Sequence, residues 1–240
     1  MEKSKKIKLF IGLSYLIIIL ICFFFLFSNF TFQELTSYDF IKINLKYFSS
    51  LRDRNIFFLS FCFLTVTIIW VFPLLGFGSP IALLGGFVLG KWIGVIVVVT
   101  GLTIGATLLY MFGNYFLKDY IKNKFLDKYK NLETKFKDSE FTYLLIYRFC
   151  GGIPWQISCI LPAIFNVKIK NFFYATFIGI IPQIFLVTSI GSGLEKVIEK
   201  NSQPPKILDI ITNTEIYIPL IVFFILVIFT VILRRLFYKK

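Results

Sequence analysis

The residue of this chain with the clearest capacity for chemistry is an arginine in an apolar stretch. Arg148 is the only charged residue of Phe141–Val167, and an arginine at the centre of a membrane helix costs about 2.5–3.5 kcal/mol on insertion scales. Phe141–Leu194 contains no carboxylate. Any anion that pairs with Arg148 would therefore come from elsewhere in the fold, from water or from a ligand. A guanidinium binds two phosphate oxygens at once, which favours a phosphate. The alternatives are snorkelling to the interface and capping of freed backbone carbonyls.

A predicted helix break follows this arginine. Gly151, Gly152 and Pro154 disfavour a continuous helix, and a break at membrane depth frees backbone N–H and C=O groups for a ligand or for cavity water. A plain helix–loop–helix corner is the structural alternative. Trp155 and Gln156 come next, and their N–H groups predict either hydrogen bonds to a headgroup or a hairpin tip at the interface.

Other glycine, proline and polar residues mark similar positions. Pro182 and Gln183 predict a kink with a polar neighbour, which is more often structural than functional, and Lys91 beside Trp92 predicts an interfacial anchor. The predicted substrate-binding residues are Arg148, Gly151, Gly152, Pro154, Trp155, Gln156, Gly179, Pro182, Gln183, Pro80, Gly86 and Lys91.

Composition places the chain in a membrane and limits its chemistry. Of the 240 residues, 57% are hydrophobic, and the mean hydropathy is +0.79, whereas soluble domains are about 45–50% apolar. The formal net charge is +13. The basic residues cluster outside the apolar runs, which predicts contact with anionic lipid headgroups and not with nucleic acid. There is no histidine and no C-x-x-C pair, so we expect no enzyme, no metal site and no cofactor.

The apolar runs predict an all-α polytopic membrane protein with about five to six spanning helices and two re-entrant broken-helix hairpins, at residues 76–90 and 141–167. Residues 1–55 form a predicted membrane anchor and amphipathic segment, residues 56–195 the membrane core, and residues 196–240 a polar loop and a last transmembrane helix. The clearest spans are Phe10–Ser28, Ile56–Leu75, Trp92–Phe116, Asn171–Gly193 and Ile216–Leu233.

Basic residues predict the orientation of these spans. Lysines precede the first span and basic residues follow the last, so both termini are expected in the cytoplasm. Five crossings would put the termini on opposite sides, so Gly76–Gly90 is expected to add one. Lys118–Lys137 predicts an amphipathic helix, either on an anionic leaflet or packed on its own protein.

The two broken segments follow a similar plan. Pro80 leads to Lys91 and a long glycine-containing helix, and Pro154 leads to Lys168 and another. Transporters are often built from inverted repeats whose broken helices meet near the membrane midplane. An inverted repeat is therefore one interpretation of this pattern.

The ordered set of glycines, prolines and the arginine over roughly Ile56–Gly193 resembles the VTT-domain family, also called SNARE-associated Golgi proteins, within the DedA superfamily. Gly151, Cys159, Ala163 and Asn114 depart from the usual family residues. The residues that carry the resemblance are Pro80, Gly86, Gly90, Gly94, Gly101 and Gly105, and then Arg148, Pro154, Trp155, Val167, Phe172, Gly179 and Pro182.

The resemblance implies a lipid transporter, a flippase or scramblase of phospholipid or polyprenyl phosphate, with two re-entrant hairpins that face each other. Some relatives carry membrane carboxylates tied to proton coupling. This chain has none between Arg54 and Lys118 or in Phe141–Leu194, which argues against such coupling unless Glu34 or Asp39 folds inward. An ion or small-solute carrier and a non-transporting scaffold are the alternatives. The expected location is a bacterial plasma (inner) membrane, the expected partners are membrane lipids, and a homo-oligomer stays open.

Overall fold

The structure is a computed structural model, and it describes residues 14, 17, 21, 38–116, 139–150, 154–201, 212–214, 216–222, 224, 225 and 228. All regular structure in these ranges is helical, which confirms the all-α prediction. The helices are α1 Tyr38–Arg54, α2 Ile56–Val71, α3 Gly78–Leu89, α4 Lys91–Phe116, α5 Glu140–Cys150, α6 Trp155–Ile160, a 3₁₀ helix Leu161–Phe165, α7 Ile169–Gly179 and α8 Ile181–Lys200.

The number of crossings stays a prediction. Within the described ranges α4 is long and apolar enough to cross a membrane, and α7 with α8, bent by 43°, would make a second crossing if they count as one broken span. Most of the predicted span Phe10–Ser28, part of Ile216–Leu233 and all of the basic stretch Lys118–Lys137 lie outside the described residues. The three-part division of the chain is likewise untested.

The predicted span Ile56–Leu75 is shorter than expected. Helix α2 ends at Val71, and Phe72 is extended, with φ −137° and ψ 114°, as the residue before a proline usually is. The Phe72–Pro73 bond is cis, and Leu75 has φ +56°. The indole N–H of Trp70 donates to the Phe77 carbonyl at 2.7 Å, so a side chain holds the turn that leads into α3.

The first predicted hairpin segment contains one regular helix. Pro80 lies in the first turn of α3, where its missing N–H costs no helical hydrogen bond. It therefore does not interrupt the helix, contrary to the sequence-based interpretation. Gly90 ends α3 with φ +77°, a conformation that glycine adopts without steric cost.

The second half repeats this order of elements. Helix α5 ends, the short α6 and the 3₁₀ helix follow, and Asn166 at φ +53° leads to α7. Glu140, at the start of α5, accepts from the Lys168 backbone N–H at 3.1 Å and from the Asn171 amide at 2.7 Å. One carboxylate thus joins the first turns of α5 and α7.

Helices α3 and α8 approach each other backbone to backbone. A Cβ built on Gly86 would lie 2.6 Å from the Thr188 carbonyl carbon, and one built on Gly191 would lie 3.0 Å from the Phe87 nitrogen. Any side chain at these two positions would push the helices apart. Small residues at helix contacts permit such packing in membrane proteins, where the hydrophobic effect does not drive helices together.

Helix α1 is attached to this core by polar contacts at both of its ends. Arg52 forms an ion pair with Glu195 of α8 at 2.8 Å, and Glu195 is only 5% exposed. The hydrogen bond that Arg52 donates to this carboxylate raises the pKa of Arg52 above its ordinary value. At the other end of the helix, the Lys42 ammonium donates to the Asn201 carbonyl at 2.6 Å.

Candidate functional site: a buried arginine between two helix breaks

Arg148 lies on α5 and is 4% exposed. Its Nε donates to the Thr176 hydroxyl at 3.2 Å, and its Nη1 donates to the Ser158 hydroxyl at 2.6 Å. Its Nη2 makes a weaker contact with the Cys159 sulfur at 3.6 Å. The guanidinium is therefore held by side chains from α6 and α7 inside the protein and does not extend to its surface.

Three aromatic rings surround the guanidinium. Its central carbon lies 5.0 Å from the ring centroid of Trp155, 5.1 Å from that of Phe172 and 5.9 Å from that of Tyr147. Ring faces attract a cation, by about 2 kcal/mol or more where water is excluded. The rings offset part of the cost of burial while leaving the positive charge in place.

Unused hydrogen-bond donors point to an anion at this position. A guanidinium has five N–H donors, and three of them are engaged by Thr176, Ser158 and Cys159. The buried indole N–H of Trp155 has no hydrogen-bond partner. In the described part of the chain no carboxylate pairs with Arg148, because the ion pair found there joins two other residues.

The second break is tied to the first at this site. The Gln156 amide donates to the Leu75 carbonyl at 2.7 Å, at the residue with positive φ. A Cβ built on Gly78 would lie 4.0 Å from Trp155 and 3.4 Å from Leu102. The first turn of α6 therefore contacts the segment that leads into α3, and the Trp155 ring of that turn lies 5.0 Å from the central carbon of Arg148.

Gln183 and Gly179 support the arginine from the bend between α7 and α8. The Gln183 amide donates to the carbonyls of Arg148 at 3.3 Å and of Phe149 at 3.0 Å. It thereby caps the carbonyls freed at the end of α5, a role that the sequence had left open for the guanidinium. A Cβ on Gly179 would lie 2.6 Å from the Arg148 Cβ, so α5 and α7 meet closely here.

The remaining predicted site residues are placed differently. Gly86 lies in the α3–α8 contact, Pro80 is exposed in the first turn of α3, and Lys91 follows the far end of α3, with its ammonium 5.4 Å from the Trp92 ring centroid. Pro154 is the exposed residue before α6. Gly151 and Gly152 lie outside the described residues.

Several partners of the arginine were missed by sequence reasoning. Ser158 and Thr176 are single hydroxyl residues in apolar runs, a weak signal of a buried polar partner, and Phe172 was noted only for the family pattern. Phe172 is itself held by Tyr110, whose ring stacks on it at 4.5 Å and whose hydroxyl donates to the Val167 carbonyl at 2.6 Å.

Sequence reasoning also missed the buried carboxylate of Glu195, which follows directly after the carboxylate-free stretch Phe141–Leu194. Glu195 is buried, and its pairing with Arg52 gives it a structural partner. Glu34 and Asp39 were named only as a possible exception to the absence of a membrane carboxylate, and Glu34 and the side chain of Asp39 lie outside the described part of the structure.

Two helix breaks lie close together in this structure, near a buried cation. The fold and the site therefore define a class of helical protein with a polar site inside an apolar core. The VTT domain family matches residues 72–193, a range that contains both breaks and Arg148, and the chain belongs to this family.

Curated relatives agree with this assignment. The chain is 29% identical over 146 residues to the uncharacterized protein YqeD of Bacillus subtilis (strain 168), covering 60% of this chain and 69% of that protein. It is 26% identical over 176 residues to the transmembrane protein 41 homolog of Caenorhabditis elegans, covering 65% and 70%. It is 28% identical over 166 residues to the homolog in Dictyostelium discoideum, covering 65% of this chain and 48% of that one. No solved structure gave a significant match.

Proposed function

We propose that this chain is an integral membrane protein that moves phosphate-bearing lipids between leaflets, with Arg148 as the phosphate contact. Its lipids would be phospholipids or polyprenyl phosphates. The observation that carries the proposal is a fully buried guanidinium that has unused donors and no carboxylate partner among the described residues. Two relatives named as transmembrane proteins support the membrane location.

The charge balance of the site favours a phosphate. Leaving a cation buried without an anion is costly, and a phosphate oxygen accepts the charge-assisted N–H bonds that a guanidinium donates. The unpartnered Trp155 N–H adds a neutral donor, in a ring whose centroid lies 5.0 Å from the central carbon of the guanidinium. Ser158 and Thr176 already orient the guanidinium, so a passing headgroup finds its donors in position.

A second candidate is an ion or small-solute carrier. An ion-coupled carrier usually contains a carboxylate that is buried and available to the ion. Glu195 is buried, but it is paired with Arg52 at 2.8 Å, which favours a structural role for it. A lipid transporter therefore explains the site better.

The test is a dithionite assay of fluorescent lipid translocation in liposomes that contain the full chain. We expect Arg148→Gln to lower the rate at least about tenfold, since one charge-assisted bond is worth about 1.5–3 kcal/mol. Arg54→Gln is the matched control, because Arg54 is an exposed arginine at the end of α1, and its rate should equal that of the wild type. Trp155→Phe, which removes one donor and no charge, should have an intermediate rate.

Three outcomes separate the hypotheses. Loss in Arg148→Gln with an unchanged Arg54→Gln supports a lipid path at this site. Wild-type rates in an Arg148→Gln variant that elutes and melts like the wild type reject it. If the wild type translocates neither phospholipid nor polyprenyl-phosphate probes, the proposal fails in favour of a solute carrier or a scaffold.

A further inference from the structure

An apolar cavity lies between α5, α7 and α8, and its lining includes residues of α5 on both sides of Arg148 in the chain. It has a volume of about 500 Å³ and opens on one side. Pockets that hold small molecules are usually about 300–1,000 Å³, so its size suits a ligand. The cavity is lined by Leu145, Ile146 and Phe149 of α5, Ile178 and Gly179 of α7, and Ile181 and Pro182 of α8.

The cavity exists because α7 and α8 diverge. The two helices meet at an angle of 43°, and Gly179 contributes no side chain to fill the space. The carbonyls that the end of α5 would expose here accept hydrogen bonds from Gln183. The walls are therefore hydrocarbon with satisfied backbone, which excludes an ion or a sugar and fits an alkyl chain.

The cavity and the cation share structural elements. Arg148 lies between Ile146 and Phe149 on α5, and its Cβ faces the bare Cα of Gly179, which also lines the cavity. A free phosphate would use only the arginine, and an alkane only the cavity. A molecule with both an anionic group and a long chain would use both.

We propose that this cavity binds a hydrocarbon chain of an anionic lipid whose phosphate contacts Arg148. The inference rests on the proposed function, because it assigns the second half of the same substrate. It also predicts that the cavity is selective, because its preference for an anionic headgroup would depend on Arg148 and not on the basic residues outside the apolar runs. The preference for an anionic headgroup should disappear when the arginine loses its charge.

The experiment measures headgroup preference at the cavity. A bimane fluorophore is attached to Ile178→Cys in full-length protein in nanodiscs, and nitroxide-labelled chains are supplied on phosphatidylglycerol or on phosphatidylcholine. Tyr174→Cys is the matched control, because it lies one turn earlier on α7, is similarly exposed and does not line the cavity. The background carries alanine at Cys22, Cys62 and Cys150, whereas the fully buried Cys159 is kept.

The measured quantity is the ratio of quenching by phosphatidylglycerol to quenching by phosphatidylcholine. We expect this ratio to be about fivefold higher at position 178 than at position 174, which corresponds to about one cationic contact. Arg148→Gln should reduce the ratio at 178 to that at 174. Equal ratios at the two positions in the native-arginine protein, or a preference that persists in folded Arg148→Gln, overturn the proposal.

A second variant covers the case in which Arg148→Gln does not fold. Ile181→Trp fills the cavity from α8 and should slow translocation of a long-chain lipid at least about tenfold, as misfit in an apolar pocket does. Tyr174→Trp should leave the rate within about twofold, and equal rates for the two variants reject the cavity. Wild-type translocation without a preference at 178 rejects only this inference, whereas a preference without translocation rejects only the transport function.

Discussion

The closest contact between α3 and α8 predicts that adding a single methyl group at Gly86 destabilises the protein. In Gly86→Ala the new methyl carbon would lie 2.6 Å from the Thr188 carbonyl carbon and 2.7 Å from its Cα. Non-bonded carbons normally lie about 3.5–4.0 Å apart, so the two helices would have to separate by about 1 Å. The obstacle is backbone, so no side-chain rotation can relieve it.

The expected cost follows from two opposed terms. Overpacking a tight contact costs about 1–3 kcal/mol, and replacing a helical glycine by alanine recovers about 0.5–1 kcal/mol. We expect a net destabilisation of up to about 2.5 kcal/mol, which lowers Tm by up to about 10 °C for a chain of this length. Thermal unfolding of the detergent-solubilised protein, followed by circular dichroism, measures it.

Gly78→Ala is the matched control, since Gly78 is buried in the same helix. Its Cβ would meet Leu102 at 3.4 Å, an ordinary contact, so Tm should stay equal or rise slightly. If Gly86→Ala is as stable as Gly78→Ala, then the close approach of α3 and α8 does not exist as described and our reasoning about the core is wrong.

Two further predictions concern polar contacts that join distant segments. Tyr110→Phe keeps the ring stacked on Phe172 but leaves the Val167 carbonyl without its donor, so unfolding should become easier by about 1–3 kcal/mol; Tyr115→Phe, at an exposed tyrosine of the same helix, should melt like the wild type. Arg52→Gln and Glu195→Gln should each speed amide hydrogen exchange in α1. A double-mutant cycle should show a coupling energy within about 0.5–3 kcal/mol, toward the lower end of that range because the Arg52 side chain is 26% exposed. Fully additive effects would contradict that pairing.

The sequence predicted the local features of the fold because they depend on neighbouring residues. Helical segments, the bend near Gly179 and the break before Pro154 follow from apolar runs and from the backbone limits of glycine and proline. The end of α2 was misplaced by a few residues, since the effect of Pro73 on the preceding residue was not weighed. Whether the segments cross a membrane depends on their surroundings, which the chain alone does not contain.

The partners of the arginine could not be predicted in the same way. The sequence marked Arg148 as a buried cation without a nearby carboxylate, and the structure places it at 4% exposure. Thr176, however, lies 28 residues away, and only the packing of α7 on α5 brings its hydroxyl to the guanidinium. The burial of Glu195 could not be predicted either, because its partner Arg52 lies on α1, which is distant from α8 in the sequence.

The attachment of α1 has a consequence for the order in which the chain assembles during synthesis. Helix α1 is made early, but Lys42 and its acceptor Asn201 are 159 residues apart. Arg52 likewise depends on Glu195 of α8, so neither cation has its final partner until the last core helix has left the ribosome. Final docking of the first described helix must therefore await completion of the last core helix. A chain truncated before α8 would leave Lys42 and Arg52 without these two partners, while Phe48 and Leu51 of α1 would still find their apolar contacts on α2 and α3.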